Sequence, residues 1–238
     1  MLLPLLLSFA HAGPEDQVMM NSSGNRLFWE SMPVNYVADP ANTEGLDEAE
    51  TLAAIVAAGG AWTLVDGTEV EFRFRGVERD LHGGYDEKSV VFFTDDWVGG
   101  AELLAVTSNW SDTAGEILDF DLMVNTADHD WSLTGEPEKA DLQNALTHEF
   151  GHALGIDHDK AQEEATMFPS TAPGETMKRD LAESDVAVLA FMYPDNAEGT
   201  DAGVSAGAGC STRPGAPLFV ALPALFLVIR RRKEVPCC

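Results

Sequence analysis

Residues 148–159 read HEFGHALGIDHD and limit the fold more than any other segment of the chain. His148 and His152 are four positions apart, so on a helix both imidazoles project from the same face. Gly155 can adopt a positive φ, which would end the helix and turn the chain back toward it. We therefore predict a helix over residues 141–154 and a turn that brings His158 to the other two histidines.

Three neutral imidazoles with a fourth position left open are the ligand set of a catalytic zinc site. Glu149 lies one position after the first histidine, where its carboxylate can approach a water molecule without being a ligand. Such a site would polarise a carbonyl group and ionise water near pH 7. We expect peptide-bond hydrolysis with Glu149 as the general base. Chance histidines on a surface helix are disfavoured, because three of the six histidines fall within eleven positions.

Two segments resemble a known family of zinc enzymes. HEFGHALGIDH resembles the extended zinc signature of metzincin peptidases, and ATMFP at residues 165–169 resembles the Met-turn of the matrixin branch. The resemblance implies that His148, His152 and His158 bind Zn²⁺ above Met167. It also implies an α+β fold, in which a twisted mixed β-sheet lies against an active-site helix and a C-terminal helix. The similarity covers most of residues 27–193.

Two features near the zinc signature depart from the matrixin pattern. Met167 lies nine residues after His158, one more than we expect in a matrixin. Asp159, directly after the third histidine, is closer to the adamalysin branch. These differences leave the zinc signature intact and concern the branch within the family.

The hydrophobic pattern independently predicts an α+β domain over residues 13–196. Helices are predicted over residues 47–64, 141–154 and 181–192, and strands over residues 27–37, 70–77, 90–93, 103–110 and 117–125. Residues 70–77 alternate strictly between apolar and polar side chains, which is typical of a half-buried strand.

The family resemblance also implies where a peptide would bind. In matrixins the substrate lies extended along an edge strand, which corresponds here to residues 103–110, and it is held by main-chain hydrogen bonds. The pocket after the cleavage point would be walled by the segment that begins at Phe168. The residues expected to contact substrate are Leu104, Ala105, Val106, Phe168 and Pro169.

Additional metal sites are left open by the sequence. Asp119, Asp121, Asp128 and Asp130 offer the oxygen ligands that Ca²⁺ prefers, but their spacing matches no EF-hand. A solvated acidic face is the favoured alternative. His82 and His129 would be ligands for a second zinc, although lone histidines are more often structural or exposed.

Net charge limits the partners of this chain. It has 40 acidic and 14 basic residues, giving a formal net charge of -26 at pH 7. So acidic a surface repels a polyanion, which excludes a nucleic-acid partner. We expect a monomer that acts on protein or peptide substrates. The alternative is a catalytically inactive zinc-binding surface or adhesion module on a metzincin fold.

The first twelve residues have the pattern of a signal peptide. An apolar run over residues 2–9 is followed by Ala-His-Ala, which is an A-x-A cleavage site before Gly13. The run is too short for a membrane span, which needs about 18 apolar residues. A buried N-terminal strand is the alternative. Export is the favoured interpretation.

The C-terminal residues predict attachment to the cell envelope. Residues 197–215 are rich in Gly, Ala and Ser, as in a flexible linker, and an apolar run over 216–229 is followed by RRRK. The run, the basic cluster and Cys210 resemble the Myxo-type C-terminal sorting signal of myxobacterial surface proteins. A simple tail anchor over residues 216–238 is the alternative. All three cysteines lie in this region, so no disulfide is expected within residues 13–196.

Overall fold

The computed structural model describes residues 13–63 and 65–195. Its main elements, in chain order, are β1 (Val34–Ala38), α1 (Glu48–Thr63), β2 (Phe72–Val77), β3 (Val90–Thr94), β4 (Ala105–Ser111), β5 (Ile117–Asn125), β6 (Trp131–Ser132), β7 (Ala140–Asp141), α2 (Leu142–Ala153) and α3 (Glu183–Met192). The predicted signal peptide, linker and C-terminal tail lie outside the described residues. No described helix has both the length and the apolar character needed to cross a membrane.

The larger sheet has five strands in the order β2-β1-β3-β5-β4. The first four are parallel to one another, and β4 is antiparallel to β5. Because β4 lies at the end of the order, one of its sides faces away from the sheet. A mixed sheet with packed helices confirms the predicted α+β class.

Most predicted elements are confirmed to within two residues, but the first strand is not. We predicted a strand over residues 27–37, whereas β1 begins at Val34. Pro33 precedes it and has no N–H to donate to a ladder. Residues 27–33 instead make isolated contacts with distant parts of the chain, such as the single bridge of Phe28 to Glu116. The bulky side chains at Leu27, Phe28 and Trp29 are buried or partly buried there without forming a strand.

An aromatic cluster fixes α2 against the sheet. Phe150 of α2 packs on Tyr36, Phe72 and Phe120, with ring centroids 5.3, 4.8 and 6.1 Å away. Three different strands supply these partners, so rotating α2 about its axis would disrupt all three contacts. The packing therefore determines which face of α2 carries the histidines.

Side chains distant in sequence cap the carboxyl end of α2. Asn109 Nδ2 donates to the carbonyl of His152, Trp29 Nε1 to that of Ala153, and Tyr193 Oη to that of Leu154, at 2.7, 2.8 and 2.7 Å. The last carbonyls of a helix lack the usual N–H partner four residues on. The side chains supply hydrogen bonds to them, in addition to the main-chain bond from Gly155 N to the His152 carbonyl. Gly155 then turns the chain with φ +81°, as predicted.

Candidate metal centre and active site

The three predicted ligands converge on one point. His152 Nε2 lies 3.0 Å from His148 Nε2 and 3.3 Å from His158 Nε2. Three nitrogens bound tetrahedrally to one zinc ion at about 2.0–2.1 Å would be about 3.3 Å apart. Among the described residues, this is the group of three or more His, Cys, Asp or Glu side chains whose donor atoms can share a metal ion.

Hydrogen bonds to main-chain carbonyls determine which nitrogens can bind the metal. His148 Nδ1 lies 2.6 Å from the carbonyl oxygen of Thr166, and His152 Nδ1 lies 2.7 Å from that of Ile156. A carbonyl oxygen only accepts, so both Nδ1 atoms carry the proton. In the neutral rings, both Nε2 atoms then present lone pairs to each other at 3.0 Å. Lone pairs this close repel unless a cation lies between them, and this donor set therefore fits zinc.

Burial keeps the three rings neutral. It lowers the pKa of His148 well below its ordinary value, and it lowers those of His152 and His158 to about 4 and about 2. The neighbouring histidines add to the effect for His148 and His158, because each ring resists a second positive charge nearby. Neutral imidazole is the form that binds metal, so the ligands are ready at neutral pH.

Glu149 lies beside the first ligand and is fully buried. Its Oε2 accepts a hydrogen bond from the hydroxyl of Thr107 at 2.8 Å. Thr107 belongs to β4, so the contact joins the edge strand to the active-site helix. The carboxylate is therefore held by a side chain 42 positions away in sequence.

The sequence profile of the matrixin family, Peptidase_M10, matches residues 28–194. The chain belongs to the matrixin family. Metalloendoproteinase 1-MMP of Arabidopsis thaliana is 46% identical to this matrixin over 68 residues, covering 28% of this chain and 18% of that protein. Metalloendoproteinase 5-MMP of Arabidopsis thaliana is 33% identical over 85 residues, covering 32% and 23%. The matched segments thus span about a fifth of the length of these curated relatives.

Membership confirms the coarser part of the prediction. Matrixins are zinc metalloendopeptidases, and this matrixin has a three-histidine group that can hold zinc. The metzincin-like α+β fold is likewise confirmed by the family and by the mixed sheet.

Met167 lies in a buried turn that also orients His148, the first predicted ligand. Asp185 of α3 accepts from the N–H groups of Thr166 and Met167 at 2.7 and 3.0 Å. The Thr166 carbonyl in turn accepts from His148. Burial raises the pKa of Asp185, and these N–H donors oppose the shift. The Met-turn therefore links α3 to the first ligand.

Asp159 connects the third ligand to the same turn. Its N–H donates to the Met167 carbonyl at 2.9 Å. Its Oδ1 accepts from the N–H groups of Ala161 and Gln162 at 2.9 and 3.2 Å. The residue that departs from the matrixin pattern thus has a structural role in the loop after His158.

The predicted substrate-contacting residues occupy two places. Leu104, Ala105 and Val106 are buried, so a peptide could meet only their main chain. The Leu104 carbonyl accepts from Asn125 N at 2.9 Å and so faces β5. In an antiparallel ladder, residues that hydrogen-bond to the neighbouring strand alternate with residues that do not. The main-chain N–H and carbonyl of Ala105 therefore point outward, to the open side of β4. Phe168 and Pro169, directly after Met167, are partly exposed.

Sequence reasoning missed three residues that support the site: Thr107, Asn109 and Asp185. Thr107 and Asn109 lie on the buried face of β4 together with Ala105. Polar residues at every second position of a buried strand face need hydrogen-bond partners, and this pattern could have indicated that Thr107 and Asn109 contact the active-site helix. The role of Asp185 was harder to predict from the sequence, because acidic residues are common in the first turn of a helix.

The other predicted metal ligands do not form comparable groups. In the part of the chain that the structure describes, no three acidic side chains converge as the histidines do. Asp119 and Asp121 are buried on β5, whereas Asp128 and Asp130 are exposed. His82 is exposed and His129 is partly buried. Calcium and a second zinc remain predictions.

The stability of Asp121→Asn relative to the wild type should increase as pH rises from about 4 to about 6, because the wild type loses stability in this range and the variant does not. Burial raises the pKa of Asp121 from 3.8 to about 6, so its contribution to stability is present at low pH and lost through this window. Asparagine stays neutral and can still accept from Gly84 N, which lies 2.7 Å from Asp121 Oδ2. The measurement is Tm against pH for both proteins, without calcium.

Parallel Tm curves for the two proteins would contradict this interpretation of Asp121. Repeating the scan with millimolar calcium tests the predicted calcium site. Calcium bound at Asp121 would raise the Tm of the wild type at pH 7 and leave Asp121→Asn unchanged.

Proposed function

We propose that this chain is a zinc endopeptidase that hydrolyses peptide bonds in proteins, with Glu149 as the general base. The observation that carries the proposal is the convergence of three Nε2 atoms, two of which have their Nδ1 proton held by a main-chain carbonyl. The site is thereby arranged for a cation before one binds. Glu149 adjoins the first ligand and supplies the proton acceptor that hydrolysis requires.

The chain's own residues have three tasks in this reaction. His148, His152 and His158 would hold zinc, which when bound would act as a Lewis acid toward the scissile carbonyl and favour ionisation of water at neutral pH. Glu149 takes a proton from the attacking water and later delivers it to the nitrogen of the leaving amine. The outward main-chain groups of Ala105 offer hydrogen bonds to a peptide laid along β4.

We also propose that the protein is exported and attached to the cell envelope as a monomer. Support comes from the signal-peptide pattern of residues 1–12 and the sorting pattern of residues 197–238. Mass analysis of the native protein tests whether the signal peptide and the C-terminal tail are removed. A mature chain that begins at Gly13 and lacks Cys238 is expected. A mature chain that still contains Cys238 would defeat the sorting-tail proposal.

Removing the metal should abolish cleavage, and adding zinc back should restore it. The full-length protein is treated with 1,10-phenanthroline, and casein cleavage and metal content are measured before and after zinc is returned. We expect one zinc per chain in the active protein. His152→Ala should lose that zinc, whereas His82→Ala, at an exposed histidine outside the three-histidine group, should keep it. A second zinc that is lost only in His82→Ala would support the predicted second zinc site.

Two outcomes would overturn the proposal. Cleavage that continues after the metal is gone would show that the histidines are not the reactive site. One zinc per chain without cleavage of casein or gelatin would instead support the inactive zinc-binding surface module.

A further inference from the structure

The edge strand β4, along which the substrate is proposed to lie, also contacts the proposed general base Glu149 through Thr107. We propose that Thr107 is a positioning residue for Glu149, through the hydrogen bond between its hydroxyl and the carboxylate. This inference rests on the proposed function and deepens it. Thr107 is 5% exposed and Glu149 is fully buried, so water does not readily replace the contact.

Charge determines which of two acceptors the hydroxyl prefers. Thr107 Oγ1 lies 2.8 Å from Glu149 Oε2 and 3.0 Å from the Glu149 main-chain carbonyl. A hydroxyl has one proton to donate. Hydrogen bonds to an ionised group are shorter and about twice as strong as neutral ones, so the carboxylate receives the proton when it is charged. The bond therefore stabilises the form of Glu149 that acts as a base.

The main-chain N–H and carbonyl of Thr107 point away from α2, toward which its side chain points, and lie in the plane of the sheet. The Leu104 carbonyl points to β5. Along an antiparallel strand the residues whose N–H and carbonyl point to the neighbouring strand alternate with residues whose groups point away, so those of Ala105 and Thr107 point to the open side of β4. One residue thus presents its main chain to a bound peptide and its side chain to the base. Threonine is β-branched and has a stiff χ1, so the backbone of β4 determines where the hydroxyl lies.

This arrangement predicts an effect on the chemical step and little effect on peptide binding. A misplacement of about 1 Å in a catalytic group can cost about 100-fold in rate. The hydroxyl does not lie on the open side of β4, so its loss leaves the main-chain contacts to a peptide in place. The affected quantity is therefore kcat, with KM nearly unchanged.

The experiment compares full-length variants in which only the hydroxyl changes. Thr107→Val removes the hydroxyl at similar volume, and Thr107→Ser keeps it. Thr147→Val is the control, since that hydroxyl donates within α2 to the Gln143 carbonyl at 2.7 Å. Measurements are kcat, KM on a fluorogenic peptide, and zinc content. We expect Thr107→Val to lower kcat by about 10- to 100-fold with KM within about 2-fold and one zinc bound. Thr107→Ser should stay within about 3-fold of wild type, and the control should lose little.

Wild-type kcat in Thr107→Val would overturn the proposal. So would an equal loss in Thr107→Ser, because that variant keeps the hydroxyl and the loss would then follow from the changed shape of the side chain. If Thr107→Val does not fold, Thr107→Ala and Thr107→Ser form a second pair that differs by the hydroxyl, and equal kcat values in this pair would likewise overturn it.

A second measurement separates this inference from the proposed function. In the zinc-free protein, a double-mutant cycle of Thr107→Val and Glu149→Leu, which removes the acceptor of the Thr107 hydrogen bond, reports coupling through the free energy of unfolding. Non-additive effects support the contact between the two side chains, and additive effects overturn it. An inactive wild-type protein would defeat the proposed function while this cycle still tests Thr107.

Discussion

Replacing Glu149 by glutamine should lower kcat for peptide cleavage by about 10²- to 10⁴-fold, the usual contribution of general acid–base catalysis. Glutamine has nearly the same shape as glutamate but does not take a proton from water. Its amide oxygen can still accept the Thr107 hydrogen bond, so the buried side chain keeps its partner. The three histidines and their carbonyl partners are unchanged, and zinc should stay bound.

The test is kcat together with zinc content in the purified full-length protein. Glu50→Gln is a matched control, because Glu50 is an exposed residue in the first turn of α1. It should retain wild-type kcat. If Glu149→Gln keeps more than half of the wild-type rate, Glu149 is not the base. If zinc is lost as well, the decrease in rate reflects damage to the metal site.

The convergence of the histidines was predictable because it depends on local geometry. His148 and His152 share a face by helical spacing, and Gly155 adopts the positive φ that the sequence suggested. Both features lie within one short segment, so no long-range packing had to be inferred to place them.

The supporting contacts were not predictable in the same way, because they join distant parts of the chain. Thr107 and Asn109 reach α2 across 42 and 43 positions, and Trp29 does so across 124. Such contacts depend on strand order and register, which periodicity alone does not determine. The error over residues 27–33 has the same origin, since bulky residues there are buried against α2 and β5 rather than in a ladder.

Adding a single methyl group at Gly151 should disturb both stability and the metal site. Gly151 lies between the first two ligands on α2. A Cβ there would overlap Met167 Sδ and lie 2.7 Å from Trp62 Cζ2. Trp62 cannot easily retreat, because it is fully buried and its Nε1 donates to the Thr147 carbonyl at 2.7 Å. Met167 must move instead, and it adjoins the carbonyl that orients His148.

Gly151→Ala therefore tests whether close packing of the Met-turn maintains the zinc ligands. Alanine in a helix interior normally stabilises by about 0.5–1 kcal/mol relative to glycine. Overpacking costs about 1–3 kcal/mol, so the net loss after the alanine gain is up to about 2.5 kcal/mol and should lower Tm by up to about 10 °C in a domain of this size. Displacing a residue that orients a ligand should weaken zinc affinity by about 10- to 100-fold. Gly60→Ala is the matched control in α1, because a Cβ at Gly60 meets nothing within 4 Å, and this change should leave zinc affinity unaltered. Equal zinc affinity in the two variants would mean that the Met-turn moves without disturbing His148.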